Sequence, residues 1–62
     1  MADVIGDLLR SSLQEQVPVE VYFGLGKLRG VVTRLEADFV EIRHENKRTV
    51  VSLKHIVAVT LE

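Results

Sequence analysis

The short spacing between β-like segments constrains this chain most. From residue 17 onward apolar and polar residues alternate with a period of two, and valine dominates the apolar positions. Such alternation predicts half-buried β-strands. The predicted strands are 17–23, 27–35, 39–44, 48–53 and 56–61, with turns of two to four residues between them. Because parallel neighbours need long crossover connections, turns this short predict antiparallel neighbours.

A helical pattern precedes the strands. Over 3–16 the apolar residues fall at spacings of one, three and four, which predicts an amphipathic helix. Asp3 and Asp7 lie near its N-terminal end, where the helix dipole favours negative charge. Pro18 disfavours helical backbone in the residue before it, so the helix is expected to end near that point.

The order of these elements predicts a mainly β fold in which an N-terminal α-helix is followed by a strongly bent five-stranded antiparallel sheet. Gly30 lies inside the second strand, and glycine there is typical of the sharp bends in small barrels. Five bent strands in about 45 residues are expected to curl into a small barrel. The leading helix argues against an SH3-type barrel, and the short strands and loops argue against an OB-fold.

Composition narrows the class of protein. The 62 residues contain no cysteine, which excludes disulfides and thiolate zinc sites. A chain this short buries only about 60% of the surface that its unfolded form exposes, and small domains commonly gain stability by oligomerising. We therefore expect one domain over 1–62 and a homo-oligomer. No run approaches the ~20 apolar residues that cross a bilayer, and residues 1–3 show no signal n-region, so a cytoplasmic protein without a membrane partner is expected.

The charge balance gives no global sign of nucleic-acid binding. The 8 Lys and Arg residues are offset by 9 Asp and Glu residues, for a net charge of -1. Any site for RNA or DNA must therefore be a local basic patch. The densest basic stretch spans a predicted hairpin, where Arg43, Lys47 and Arg48 are either phosphate contacts or the charges of a solvated turn.

No constellation of catalytic or metal-ligating residues occurs in the sequence. His44 and His55 are the two histidines, whereas a protein metal site needs about three or four ligands. The serines lie in no nucleophile motif. We therefore expect no enzymatic activity, no metal and no cofactor.

Four motifs along the chain carry a family resemblance. They are Val17-Pro18-Val19-Glu20-Val21-Tyr22, Gly26-Lys27-Leu28-Arg29-Gly30, Phe39-Val40 and Lys54-His55-Ile56. Together they resemble the bacterial Sm-like proteins of the Hfq family, whose patterns are VPVxIY, GxKLxG, QF and YKHAI. The likeness covers residues 8–61. It implies a small Sm-like barrel and a non-catalytic ring of six or seven subunits that binds single-stranded RNA on its faces.

The same resemblance implies that the ring closes by pairing of the edge strands four and five between neighbouring subunits. Physical chemistry favours such a contact independently, because an open sheet leaves unpaired backbone groups on both edges. A heterologous contact of this kind closes into a ring when its rotation permits.

The resemblance implies a distal RNA site formed by Tyr22, Lys27, Leu28 and Arg29. Tyr22 matches an aromatic residue that stacks on a purine of A-rich RNA, and stacking contributes about 1–3 kcal/mol per base. Packing of the ring under the helix or against a neighbouring subunit is the alternative. Arg29 replaces a glutamine that contacts the adenine edge, and the turn before Lys27 is one residue shorter than in the family.

A proximal site at the pore is implied for Phe39, Lys54 and His55. Phe39 matches an aromatic residue that stacks on uracil, while Lys54 and His55 match a basic pair lining the pore; the alignment also allows Lys54 at the histidine position. Asp38 replaces a glutamine, and residues 13–16 (Leu-Gln-Glu-Gln) replace an arginine patch on the rim. Ring symmetry would repeat the basic pair and concentrate positive charge at one place.

The sequence leaves two functions open. One is a ring that binds single-stranded RNA, which the motifs favour. The other is an oligomeric small-barrel scaffold or protein-interaction module without RNA binding, which is favoured by the net acidic charge, by Asp38 and by the missing rim arginines.

Overall fold

The computed structural model describes residues 3–62. Met1 and Ala2 lie outside the described residues. They are part of the predicted domain and of the segment in which no signal n-region was found. The elements are α1 (Val4–Glu15), β1 (Val19–Phe23), β2 (Gly26–Leu35), β3 (Phe39–His44), β4 (Lys47–Ser52), the 3-10 helix η1 (Leu53–His55) and β5 (Ile56–Leu61). The predicted fold class, a helix followed by a five-stranded antiparallel sheet, is confirmed. Over residues 3–62, no helix has both the length and the apolar composition needed to cross a membrane.

Helix α1 is capped at both ends by specific hydrogen bonds. Asp3 caps the N-terminus, where its Oδ1 accepts the Gly6 N–H at 3.0 Å. Gln16 ends the helix in the left-handed region with φ of 57°, and its N–H donates to the Ser12 carbonyl. Pro18 follows this end, as predicted. Strand β1 begins only at Val19, later than the predicted start at residue 17.

Strand β2 makes the bend of the sheet, whose order is β4-β3-β2-β1-β5. Its residues up to Gly30 pair with β1, and its residues from Val31 onward pair with β3. Gly30 is buried, and a Cβ at this position would overlap the Arg43 carbonyl oxygen and lie 2.7 Å from Ile42 Cγ2. Only glycine permits this close approach of two strands, at the point where β2 changes its partner from β1 to β3.

One hydrophobic core lies between α1 and the sheet. Its residues are Leu9, Val19, Val21, Val32, Val40, Ile42 and Ile56. The strand residues among them alternate with half-buried or exposed ones, as a period-two pattern requires. The opposite face of the sheet is therefore the one that presents polar side chains outward.

The sheet is strongly bent but does not close on itself. Within residues 3–62, β4 and β5 remain its two edges and do not pair with each other. Both edges carry exposed apolar side chains, with Val50 on β4 58% exposed and Val57 on β5 72% exposed. An open apolar groove of about 560 Å³ runs between β4 and the turn after β1; its lining includes Phe23, Leu25, Val50, Val51 and His55. Exposed apolar edge strands of this kind present unpaired backbone groups that can pair with another chain.

Candidate nucleic-acid interface

The basic side chains divide into two groups. Four form ion pairs with acidic side chains: Arg10 with Asp7, Lys27 with Glu20, Arg29 with Glu62, and Arg34 with Glu36. The other four, Arg43, Lys47, Arg48 and Lys54, make no ion pair within residues 3–62. All of the second group lie in the β3–β4 hairpin or in η1. The near-neutral total charge therefore conceals a local positive excess.

The β3–β4 hairpin concentrates this excess near its tip. Arg43 and Arg48 are directly opposite each other across the two strands, and both are exposed. Lys47 is opposite His44, whose Nε2 lies 4.0 Å from the nearest acidic group, Glu45 Oε1. The like charges of Arg43 and Arg48, opposite each other on neighbouring strands, repel. An anion placed between or beside these groups would relieve that repulsion.

Phe39 begins β3 and pairs with Ser52 at the end of β4. The guanidinium of Arg34 lies over its ring, with Cζ 5.4 Å from the ring centroid, in a cation–π contact. Arg34 is itself held by Glu36, with Nε 3.0 Å from Oε2. The predicted stacking residue is therefore half-buried and already carries one cationic contact within the chain.

Lys54 and His55 are adjacent in η1 and both exposed, but they border different surfaces. Lys54 lines a shallow cleft of about 300 Å³ together with Asp38. The Leu53 N–H donates to the Asp38 carbonyl at 3.0 Å and holds that side of the cleft. His55 lines the apolar groove along β4 instead. The structure thus brings Lys54 and Asp38 together, and it separates His55 from them.

Three of the four predicted distal residues share one surface. Tyr22 is opposite Lys27, and Glu20 is opposite Arg29, in the β1–β2 ladder. Because side chains alternate across a strand, these four stand on the same outer face; we call them the Tyr22 surface. Leu28 lies on the other face of β2, where it packs against the hydrophobic core. The predicted ring orientation of Tyr22, away from the core, is confirmed.

Glu20 organises the Tyr22 surface, although the family motifs give it no role. Its Oε1 accepts a hydrogen bond from the Tyr22 hydroxyl at 2.5 Å, and its Oε2 lies 3.8 Å from Lys27 Nζ. The hydrogen bond to this carboxylate is the main cause that raises the pKa of Tyr22. The signal was present in the sequence, because residues two apart on a strand share a face.

Arg29 is held by the carboxylate of Glu62 at the end of the sequence. Its Nε donates to Glu62 Oε2 at 2.6 Å, and its Nη2 donates to Glu62 Oε1. Two parallel charge-assisted hydrogen bonds orient the guanidinium firmly. They raise the pKa of Arg29 and lower the pKa of Glu62. With Glu20 and Lys27 beside them, this surface carries equal numbers of positive and negative groups.

The part of the chain that the structure describes contains no group of three or more His, Cys, Asp or Glu side chains able to hold a metal ion.

Comparison with known proteins identifies the fold. No family model and no curated protein matches the chain. Among solved structures, a crystal structure of Hfq, described as the pleiotropic translational regulator, is similar with a TM-score of 0.83. The sequences are 22% identical, and the match covers 100% of this chain and 98% of that chain. The chain therefore has the fold of Hfq, as the resemblance of its motifs predicted.

Proposed function

We propose that this chain forms a homo-oligomeric ring that binds single-stranded RNA in the cytosol without catalysing a reaction on it. One observation carries the proposal: on the fold of Hfq, the four cations without an ion pair in residues 3–62 gather on the β3–β4 hairpin and η1. Phosphate contacts dominate the affinity of proteins for nucleic acids and are supplied largely by lysine and arginine. The local positive excess suits such a polyanion.

The two open sheet edges support the ring. Val50 on β4 and Val57 on β5 are both exposed, and the apolar groove lies along β4. Pairing β4 of one copy with β5 of the next would satisfy both edges and cover that groove. The contact joins two different surfaces, so copies add head to tail until the ring closes, at about six or seven subunits.

Solution mass tests the ring. Light scattering at micromolar concentration should give a multiple of the 7.0 kDa chain mass, and a monomer would contradict the proposal. Val50→Lys places a charge on the β4 edge and is expected to shift the mass toward the monomer. Val4→Lys is the matched control, because Val4 is 64% exposed on α1 and is not part of the sheet. An equal decrease of mass in both variants would show that β4 is not the interface.

The RNA strand is proposed to follow the unpaired cations. Its phosphates contact Arg43, Lys47, Arg48 and Lys54, and Lys54 lines the pore. His55, the other predicted pore residue, lines the apolar groove that the ring contact covers. Phe39, with Arg34 on one side of its ring, stacks a base on the other side.

Titration of a labelled U-rich oligonucleotide at several salt concentrations tests this site. Replacing Arg43 and Arg48 together by alanine should weaken binding. It should also flatten the slope of log K against log salt by about 0.7 for each phosphate that the protein no longer neutralises. Arg10→Ala is the matched control, because Arg10 is paired with Asp7 on α1. An affinity that does not depend on salt concentration would contradict the proposal. So would an equal loss of affinity in the Arg43 and Arg48 double variant and in Arg10→Ala.

A second function, an oligomeric scaffold or protein-interaction module without RNA binding, is favoured by the acidic groups beside predicted RNA contacts. Glu20 and Glu62 neutralise the cations of the Tyr22 surface, and Asp38 shares a cleft with Lys54. Under this alternative the oligomer mass is unchanged, and neither U-rich nor A-rich oligonucleotides bind at low salt. The same titration therefore separates the two functions.

A further inference from the structure

We infer that the Tyr22 surface is a base-binding site that selects guanine over adenine, with Glu20 and Arg29 contacting the edge of the base. The inference rests on the proposed RNA binding and specifies the base that one of its surfaces accepts. It follows from three groups that the β1–β2 ladder places side by side: an aromatic ring, an acceptor and a donor.

Tyr22 supplies the stacking platform. Its ring stands on the outer face of β1, between Lys27 on β2 and Ala58 on β5. Ala58 is exposed and ends in a single methyl group, so the approach to the ring from the β5 side is open. The hydrogen bond from the Tyr22 hydroxyl to Glu20 holds the ring in one orientation. Any base has a π-face that stacks on such a ring, so selectivity must come from the groups around it.

Glu20 supplies the acceptor at the hydroxyl end of the platform. A base stacked on the ring projects its edge toward this carboxylate, which is 2.5 Å from the Tyr22 oxygen. A carboxylate has about four acceptor positions, and its two contacts here, with Tyr22 and Lys27, leave room for more. Guanine presents two adjacent donors, N1–H and the N2 amino group. Adenine presents a lone pair at N1, which the carboxylate would repel.

Arg29 supplies the donor next to that carboxylate. It is opposite Glu20 in the ladder, so the two side chains stand together on the outer face. Glu62 engages Nε and Nη2, and the Nη1 hydrogens have no partner within residues 3–62. Guanine places its O6 acceptor beside N1–H, and O6 with N7 is the commonest specific target of arginine on base edges. Adenine carries an amino donor in place of O6, which faces arginine donor to donor.

The neutral charge of this surface explains why it suits a base edge better than a phosphate. Glu20 and Glu62 balance Lys27 and Arg29, so a phosphate gains little attraction here. Binding at the Tyr22 surface should therefore depend weakly on salt, in contrast to binding at the β3–β4 hairpin.

The test compares RNA oligonucleotides of equal length by fluorescence anisotropy: alternating adenine–guanine, adenine alone, and alternating adenine–inosine. The wild-type chain should bind the adenine–guanine RNA about tenfold more tightly than the adenine RNA, as one good two-point contact provides. Inosine lacks only the N2 amino group of guanine, so its RNA should fall between the two. Glu20→Gln should abolish the preference for the adenine–guanine RNA over the adenine RNA, because an amide offers one acceptor atom where the carboxylate offers two.

Controls keep the result specific. Glu15→Gln, a matched change on α1, should retain the guanine preference. Light scattering and circular dichroism report whether each variant is folded and assembled. Arg29→Lys keeps the charge but removes the planar donor pair; it should lower the preference independently and serves as the test should Glu20→Gln not fold.

Two results would overturn the inference: equal affinity of the wild-type chain for the first two RNAs, or a guanine preference that survives both Glu20→Gln and Arg29→Lys. A U-rich RNA titrated alongside distinguishes this failure from failure of the proposed function. If either of these results is found together with salt-sensitive U-rich binding, the proposed RNA binding stands and only the guanine selectivity is overturned. Absence of binding to every oligonucleotide would overturn both.

Discussion

Replacement of Ser12 by alanine should destabilise the fold far more than its small size suggests. Ser12 is fully buried on α1. Its Oγ donates to the Val17 carbonyl at 2.6 Å and accepts the Val32 N–H at 3.1 Å. Strand β1 pairs with β2 only as far as Gly30, so Ser12 acts as the strand partner of Val32 beyond the end of that ladder. One hydroxyl therefore joins the helix, the segment before β1 and the bent strand.

The magnitude follows from the hydrogen bonds, since Ser12→Ala removes almost no volume. A typical hydrogen bond contributes about 0.5–1.5 kcal/mol net, and a buried polar group left without a partner costs about 1–3 kcal/mol. Val32 is fully buried, so its N–H is left without water. We expect the free energy of unfolding to fall by about 2–3 kcal/mol. A chain of this length has roughly 3–9 kcal/mol in total, so this decrease is a large share.

Urea denaturation followed by circular dichroism measures the change. All variants must be compared at one chain concentration, because oligomerisation couples stability to concentration. Ser11→Ala is the matched control, since within residues 3–62 the Ser11 side chain makes no hydrogen bond; we expect a change within about 0.5 kcal/mol. Faster amide exchange at Val32 should accompany Ser12→Ala. A difference between the two variants below about 0.5 kcal/mol would refute the reasoning.

Three further predictions concern the bend, an ion pair and the cleft. Gly30→Ala should lower the free energy of unfolding by about 1–3 kcal/mol in urea denaturation, whereas Gly24→Ala, where a Cβ meets nothing within 4 Å, should not; equal effects would contradict the close approach. Because Arg29 lowers the pKa of Glu62, their pair stabilises the fold above the ordinary carboxyl pKa, and this stabilisation disappears as the pH falls through the lowered value. The urea midpoints of wild type and Glu62→Gln should therefore differ at neutral pH and converge once the pH is below the lowered pKa of Glu62, and a difference that persists in stronger acid would contradict this. Asp38→Asn removes the negative charge from the η1 cleft and should tighten U-rich RNA binding by several fold in the anisotropy titration. An unchanged affinity would contradict RNA binding at that cleft.

The strand pattern was predictable because period-two alternation is a local property of a pleated backbone. It located the five strands and the outward position of Tyr22. Leu28 shows the limit of grouping residues by adjacency. It follows Lys27 and precedes Arg29 in a family motif, yet neighbouring residues on a strand point to opposite faces, and Leu28 packs on the core side.

Polar contacts between distant segments were not predictable, because nothing in the local sequence links their partners. Arg29 and Glu62 are 33 positions apart, and they meet only because β1 lies between β2 and β5. The contribution of Ser12 to stability depends in the same way on where the β1–β2 ladder ends. His55 and Lys54 are consecutive, yet the turn of η1 directs them to different surfaces.

The sequence alone determined the elements of this protein and their antiparallel order, since these depend on backbone geometry and on short-range spacing. Its length and composition also favoured assembly. Only the tertiary structure decided which of its cations are neutralised. Total charge is a sum over the chain, whereas a binding surface depends on which charges lie within a few ångströms of each other. Folding pairs Lys27 and Arg29 with carboxylates and leaves the cations of the β3–β4 hairpin and η1 without such partners in residues 3–62, so a nearly neutral chain has a local excess of cations without ion pairs.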